Sequence, residues 1–318
     1  MRGYLIQRLA LVIPTMFGIT LVLFMSVRFL PGDVVDQILG DYGAASKDTR
    51  KQLEEQYSLD KSIPQQYAEW IGDLGRGSFG TSIISGRPVG TELKQRLPRT
   101  LELGLFALLF SLVIAIPVGV LSAVRQNTVA DYVARSLAIM LLAVPSFWLG
   151  LLAITYGFEW FGWTPPIRYS SFTSDPIANL KIIWVPAVIL GASLSGTTMR
   201  LTRSAMLEVL REDYVRTAWA KGLGERTIII RHVLRNALVP VITIVGLQVP
   251  VLVGGTVVLE RIFSIPGMGS YLLTSLTSRD YPVVQGIVLI SATVVVATNL
   301  AVDLAYSALD PRVRARFA

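Results

Sequence analysis

The chain has 318 residues, 52% of them hydrophobic and 16% charged, with a formal net charge of +7. A soluble domain carries about 25% charged residues, so the deficit points to lipid, and positive charge gathered between apolar runs fits the loops of a membrane protein better than a nucleic-acid surface. With no Cys and a single His, a disulfide framework, a thiolate metal site and a polyhistidine site are excluded.

Six windows contain no charged residue: Leu9–Val27, Leu103–Val124, Ser136–Phe158, Ile182–Met199, Asn236–Leu259 and Tyr281–Val302. A helix rises about 1.5 Å per residue and the hydrocarbon core is about 30 Å thick, so roughly 20 apolar residues cross it. Windows of this length select helices over barrel strands, because backbone polar groups in lipid must be satisfied within the segment. The expected fold is an all-α polytopic membrane protein with six transmembrane helices. The first window follows Arg2 and Arg8 but is too long for a signal core, and RFLPGD rather than a small-residue cleavage site follows it; it reads as a retained helix over residues 1–28.

Residues 29–99 form the one sizeable segment outside the spans. Lys47–Tyr57 (KDTRKQLEEQY) and Ile63–Leu74 (IPQQYAEWIGDL) read as short helices, Gly75–Gly80 as a turn, and Thr91–Arg99 as an amphipathic helix at the membrane surface. The segment is either a small cap or a contact for an external partner. Residues 100–318 make up the five-helix remainder. Short loops on the side of the termini carry fifteen Lys and Arg against four on the other side, which places both termini in the cytoplasm. The long first loop is exempt from that rule.

Pro14, Pro117, Pro145, Pro186, Pro240 and Pro250 sit in or beside spans. They either bend helices along a gated pathway or reflect the ordinary frequency of proline in membranes. Gly254-Gly255 would allow close helix approach. No phosphate-binding loop, HExxH, GxSxG or CxxC occurs, and no pair of carboxylates lies mid-span. Energy for active transport would have to enter through a partner.

The most polar stretch outside the first loop is Arg200–Arg235, with eight Lys or Arg, four Asp or Glu and the single His. Asp213 can cap a short helix over Tyr214–Lys221 that Gly222 and Gly224 end. A second helical run, Glu225–Leu238, leads into the fifth span. Small Ala218 and Ala220 would let this helix sit in a groove of another protein, with Arg216 and Lys221 pairing at the rim. Trp at Gly222 or Ala218 would then abolish coupled transport without preventing insertion. The alternative is a solvated basic loop that only obeys the positive-inside rule.

YVRTAWAKGLGERTIIIRHVLRNALVPV (214–241) resembles the cytoplasmic coupling segment of binding-protein-dependent ABC importer permeases, nearest to the B-type subunits of dipeptide, oligopeptide and nickel systems. LPGD (30–33), GDLGRGSFGTS (72–82), LPRTLELG (97–104), VPSFWLG (144–150) and GGTVVLERIFSIPGMG (254–269) are similar to that subfamily, in order along nearly the whole chain. In the wider Glu-Ala-Ala, three residues, Gly pattern, Arg216-Thr217-Ala218 stands at the first three positions and Gly222 at the last; Arg216 replaces the Glu, and the later Leu-Pro is displaced, with Arg235-Asn236 near that position.

The resemblance implies a type I importer permease, itself non-catalytic, in a bacterial or archaeal cytoplasmic membrane. It implies a homologous second permease, two cytosolic ATPases that bind ATP and Mg, and an extracytoplasmic solute-binding protein. No cofactor and no nucleic acid are implied for this chain. ATPase docking falls to Asp213, Tyr214, Arg216, Thr217, Ala218, Ala220, Lys221, Gly222 and Gly224. Pro145, Ser146, Phe147, Gln248 and Gly254 are the candidates for the translocation path. Peptides are the leading solute, with nickel, glutathione and oligosaccharides as alternatives; an ATP-independent carrier or channel and a structural membrane protein are the more distant readings.

Overall fold

The structure, a computed structural model, describes residues 2–28 and 61–309. The helix expected at Lys47–Tyr57 lies outside these residues. In chain order the helices are α1 (Arg2–Arg28), α2 (Ile63–Gly75), α3 (Val89–Val124), α4 (Val129–Ala143), α5 (Ser146–Phe161), α6 (Pro176–Val209), α7 (Asp213–Ala220), α8 (Glu225–Thr227), a π-helical segment Ile228–Leu234, α9 (Arg235–Ile262), α10 (Met268–Thr277) and α11 (Tyr281–Leu309). An isolated bridge, Thr81 with Pro88, is the one β-pairing among the described residues.

Five helices are long and apolar enough to cross a bilayer, and a sixth crossing is present if α4 and α5 count as one span. The helices overrun the charge-free windows. Residues Thr91–Arg99 are helical as expected, but continuous with the apolar run that follows, as the first turns of α3. The third window is not one straight helix. It divides at Val144-Pro145, and α4 and α5 meet at 95°. Proline pushes the residue before it out of the α region, and Val144 is accordingly extended at φ −83, ψ 122. Pro14, Pro98, Pro117, Pro186, Pro240 and Pro250, by contrast, lie inside continuous helices.

The chain divides into two compact units. In one (Tyr4–Arg96 and Tyr271–Thr293), α2 begins with a capping box between Ser62 and Gln65, with a proline in its first turn. It presents Tyr67 and Trp70 to Phe24 of α1, at ring separations of 5.4 and 5.8 Å. Thr20 and Tyr67 share a hydrogen bond of 2.9 Å. Asp280 accepts from Ser82 Oγ and the Ile83 N–H, and Arg96 stacks over Tyr271 at 4.1 Å.

The other unit (Leu97–Ser270 with both chain ends) holds the main core. Leu103, Ala107, Ile183, Leu190, Leu259 and Phe263 are buried together there. Backbones approach closely along α6. A Cβ on Gly191 would lie 2.5 Å from the Ala107 carbonyl, and one on Gly196 would lie 2.6 Å from that of Ala138. Within the chain, the Gly254-Gly255 pair brings no described helix into such close approach. Nothing lies within 4 Å of a Cβ on Gly254, and one on Gly255 meets only Leu190, at 3.4 Å.

Candidate functional site

The polar stretch 200–235 is more helical than its composition suggests. Arg200 and Arg203 still belong to α6, and the chain turns only at Leu210–Glu212 before α7. Asp213 is not the cap. Glu212 holds the N-cap position, without a side-chain hydrogen bond. Asp213 is the first helical residue, where its carboxylate faces the positive end of the helix and meets Arg216 at 3.2 Å. Gly222 closes the helix as expected: it stands at φ 75, where a side chain would be strained, and its N–H donates to the Trp219 carbonyl. Gly224 does not help end α7; at φ −64 it starts the next helical turn.

The two faces of α7 differ. Val215 and Ala218 point inward and are buried with Ala123 of α3, Ala205 and Met206 of α6, and Ile228, Val233 and Ala237. Ala218 is therefore not part of an outward surface, and only Ala220 of the expected alanine pair is exposed. Tyr214, Arg216, Thr217, Lys221, Gly222 and Gly224 are exposed with it. So are Trp219 (48%) and Leu223 (38%), which sequence reasoning passed over. Trp219 follows Val215 by four residues, so helical spacing alone places it with the inward stripe, and Leu223 lies beyond the end of α7; the sequence carries no signal of their exposure. The Tyr214 hydroxyl accepts from Asn236 Nδ2 at 2.8 Å and lies 3.4 Å from the His232 carbonyl, tying α7 to the start of α9.

Three buried polar ties hold the helices of this unit together, the first of them beside this segment. Asp131, in the first turn of α4, is completely buried and takes both arms of Arg203 from α6, Nε at 2.8 Å and Nη2 at 2.9 Å. It also accepts from Ser122 Oγ at 2.6 Å and the Asn127 N–H at 3.0 Å. Between α9 and α6, Gln248 donates to Thr198 Oγ1 at 3.1 Å and to the Leu194 carbonyl at 3.4 Å. Glu260, buried near the end of α9, accepts from Thr100 Oγ1 at 2.7 Å and the Ser270 N–H at 2.9 Å. Burial pushes the Glu260 carboxyl up against the pull of those donors. Thr100 completes a relay by accepting from the Met268 N–H at 2.8 Å. On the loop before α6, burial and the Glu102 carboxylate, 2.7 Å away, push the Tyr169 hydroxyl up.

The path candidates do not form one cluster with α7. Pro145, Ser146 and Phe147 stand at the α4–α5 bend, with Pro145 and Phe147 exposed and Ser146 half-buried. Gln248 is buried and its amide is engaged. Gly254 is exposed on the same helix. An apolar cavity of about 250 Å³ lies between α3 and α9, lined by Leu101, Leu105, Leu108, Val249 and Leu252 beside Thr100 and Gly104.

The model of the family described as "binding-protein-dependent transport system inner membrane component" matches residues 115–315. That range takes in the whole arrangement from Ser122 to Glu260. The chain belongs to this family of inner-membrane transport components. Among individual relatives, it is 41% identical to the dipeptide transport system permease protein DppB of Escherichia coli (strain K12), over 99% of each chain. It is 40% identical to the oligopeptide transport system permease protein AppB of Bacillus subtilis (strain 168), over 98% of this chain and 99% of that one. Its fold is similar to a chain of the MetNI methionine ABC transporter in an inward-facing conformation, with a TM-score of 0.55 at 16% identity, covering 69% of this chain and 96% of that one. In this chain α7 is an exposed helix packed from behind by Ala205, Met206 and the π-helical segment, and Glu260 fastens the loop that follows α9.

Proposed function

We propose that this chain is the peptide-conducting permease subunit of an ATP-driven importer, forming half of the pathway beside a homologous second permease. The observation that carries the solute class is the full-length identity of about two residues in five to permeases named for dipeptides and oligopeptides. In this reading the subunit performs no catalysis itself. Two cytosolic ATPases bind ATP and Mg, one of them gripping the outward face of α7, and a binding protein delivers solute from the other side of the membrane. Both termini are cytoplasmic, on the side favoured by the Lys and Arg distribution.

The two faces of α7 support the docking role. Val215 and Ala218 anchor the helix inward, leaving Trp219, Ala220 and Leu223 as an apolar centre with Arg216 and Lys221 at its rim. That pattern suits a groove on a partner. A Trp at Ala218 now tests folding, and one at Gly222 mixes crowding with backbone strain. Ala220→Trp isolates docking: it is expected to leave the chain folded and inserted while ATPase subunits no longer co-purify and uptake of labelled alanyl-alanine by vesicles stops. Uptake of nickel, glutathione or an oligosaccharide instead of the dipeptide would keep the importer and replace its solute. ATPase-independent uptake would remove the importer.

A further inference from the structure

The end of α6 touches two things at once. Ala205 and Met206 are buried against Val215 and Ala218 of α7. Arg203, one turn earlier, reaches Asp131 in the first turn of α4. Nearby, α3 and α6 are in backbone contact. A Cβ on Gly119 would lie 2.8 Å from Thr202 Cβ and 2.9 Å from the Met199 carbonyl. Helices α3 and α6 are thus locked to each other by shape, and both contribute to the buried cluster that takes Val215 and Ala218 of α7. Helix α4 is the newcomer to this group, and it leads directly to the bend at Pro145.

Farther along, α4 also approaches α6 closely. Ala138 is buried with Met199 and Ala115, and a Cβ on Gly196 would lie 2.6 Å from the Ala138 carbonyl and 2.7 Å from Leu142. That contact holds the middle of α4 to α6 by shape and supplies no directional bond at the end of α4 nearest α7. The Asp131 carboxylate is different. Four donors converge on it from α3, from the turn before α4 and from α6. One of them is Asn127, in the left-handed conformation at φ 61. A bidentate Arg–carboxylate pair fixes geometry as well as distance, so it holds the start of α4 in one register against the end of α6. A buried carboxylate deprived of its partner is costly, so the pair resists being pulled open.

We propose that the Asp131–Arg203 pair is a strut: it carries displacement of the α7 segment into α4 and thereby into the bent pair α4–α5. Asp131 and Arg203 are positioning residues, and the proposal rests on the importer reading given above. The strut stays closed throughout the transport cycle, so its job is transmission, not switching. In its absence α7 and α6 still move with the ATPases, but α4 lags, and ATP is hydrolysed without solute movement.

The test uses the complete importer, with its ATPases and binding protein, in proteoliposomes, reading ATP hydrolysis and uptake of labelled alanyl-alanine together. The chain has no Cys, so engineered cysteines are the only ones it offers a reagent. The double variant Asp131→Leu with Arg203→Met removes the pair without leaving a buried charge, and is expected to assemble normally, to hydrolyse ATP, and to lose about tenfold in uptake per ATP. A loss of fold alone would lower both readouts in proportion. In a second variant, Asp131→Cys with Arg203→Cys, closing the gap with a short bifunctional thiol reagent is expected to restore uptake per ATP. Full coupling in the Leu–Met variant overturns the strut, as does a bridged cysteine pair that transports less than its unbridged form. A wild-type complex that hydrolyses ATP but moves no dipeptide or other candidate solute removes the importer reading and the strut with it, whereas a working wild type beside a fully coupled Leu–Met variant removes the strut alone.

Discussion

Asp131 and Glu260 are both completely buried carboxylates, and α3 reaches each of them with a hydroxyl, Ser122 to one and Thr100 to the other. Those two hydroxyl residues are separated by about 33 Å of helix, from the rise per residue. The rest of each environment differs. Asp131 is met by a guanidinium, so its charge is matched by charge. Glu260 is met by hydroxyl and backbone donors, and the loop folds over it so tightly that a Cβ on Gly267 would sit 2.5 Å from its carboxyl carbon. The end of the unit that holds α7 is therefore fastened by an ion pair, which is rigid and expensive to break. The end beside the α9–α10 loop is fastened by neutral donors around a carboxyl whose proton affinity burial has raised.

Removing a donor should separate the two ends. Arg203→Met strands a buried carboxylate, and we expect it to destabilise the chain by about 3–5 kcal/mol, read as a fall in the thermal unfolding midpoint in detergent. Adding Asp131→Leu should recover much of that loss, because an apolar pair can replace a buried ion pair at little cost. Glu260→Ala leaves the Thr100 hydroxyl and the Ser270 N–H without an acceptor and should cost about 2–3 kcal/mol. If Glu260→Ala proved the more damaging of the two, the contrast drawn between charged and neutral fastening would fail.

A smaller effect should appear with pH. Because the Glu260 carboxyl is raised in the folded state, the folded chain binds this proton more tightly than the unfolded chain does. The stabilisation is complete below the unfolded value of about 4.3 and is lost as pH rises through the raised folded value. Wild type is therefore expected to gain stability relative to Glu260→Gln on acidification from neutrality, measured as the difference between their unfolding midpoints across that range. A difference that stays flat would contradict the neutral-donor description of this end.

Much of the architecture was legible in the sequence because lipid imposes a simple rule. Charge-free windows of about 20 residues located the long helices, and Asp213–Gly222 could be recognised as a short helix closed by glycine. The windows stopped at the first charge, whereas the hydrogen-bond ladder continues, so α3 begins at Val89 and α6 runs on to Val209. The bend in the third window was carried by one proline among several, and nothing local separates Pro145 from Pro186, which lies inside an unbroken α6. The pairing of Asp131 with Arg203 spans 72 positions. Sequence spacing says nothing about such a contact, and Arg203 was counted instead with the basic loop. The orientation of Ala218 was missed for a related reason. Small size makes an alanine suitable for either a partner's groove or the chain's own core, and only the surrounding Ala123, Ala205 and Met206 decide which.

The most direct test concerns where the outward face of α7 is found. With no native Cys, Lys221→Cys supplies one reactive thiol on an exposed residue. A membrane-impermeant maleimide should label it in inside-out vesicles, should fail to do so in sealed right-side-out vesicles, and should be blocked when the ATPase subunits are bound. Labelling from the outer face, or labelling that bound ATPases leave unchanged, would contradict the claim that this short helix is where the importer is driven.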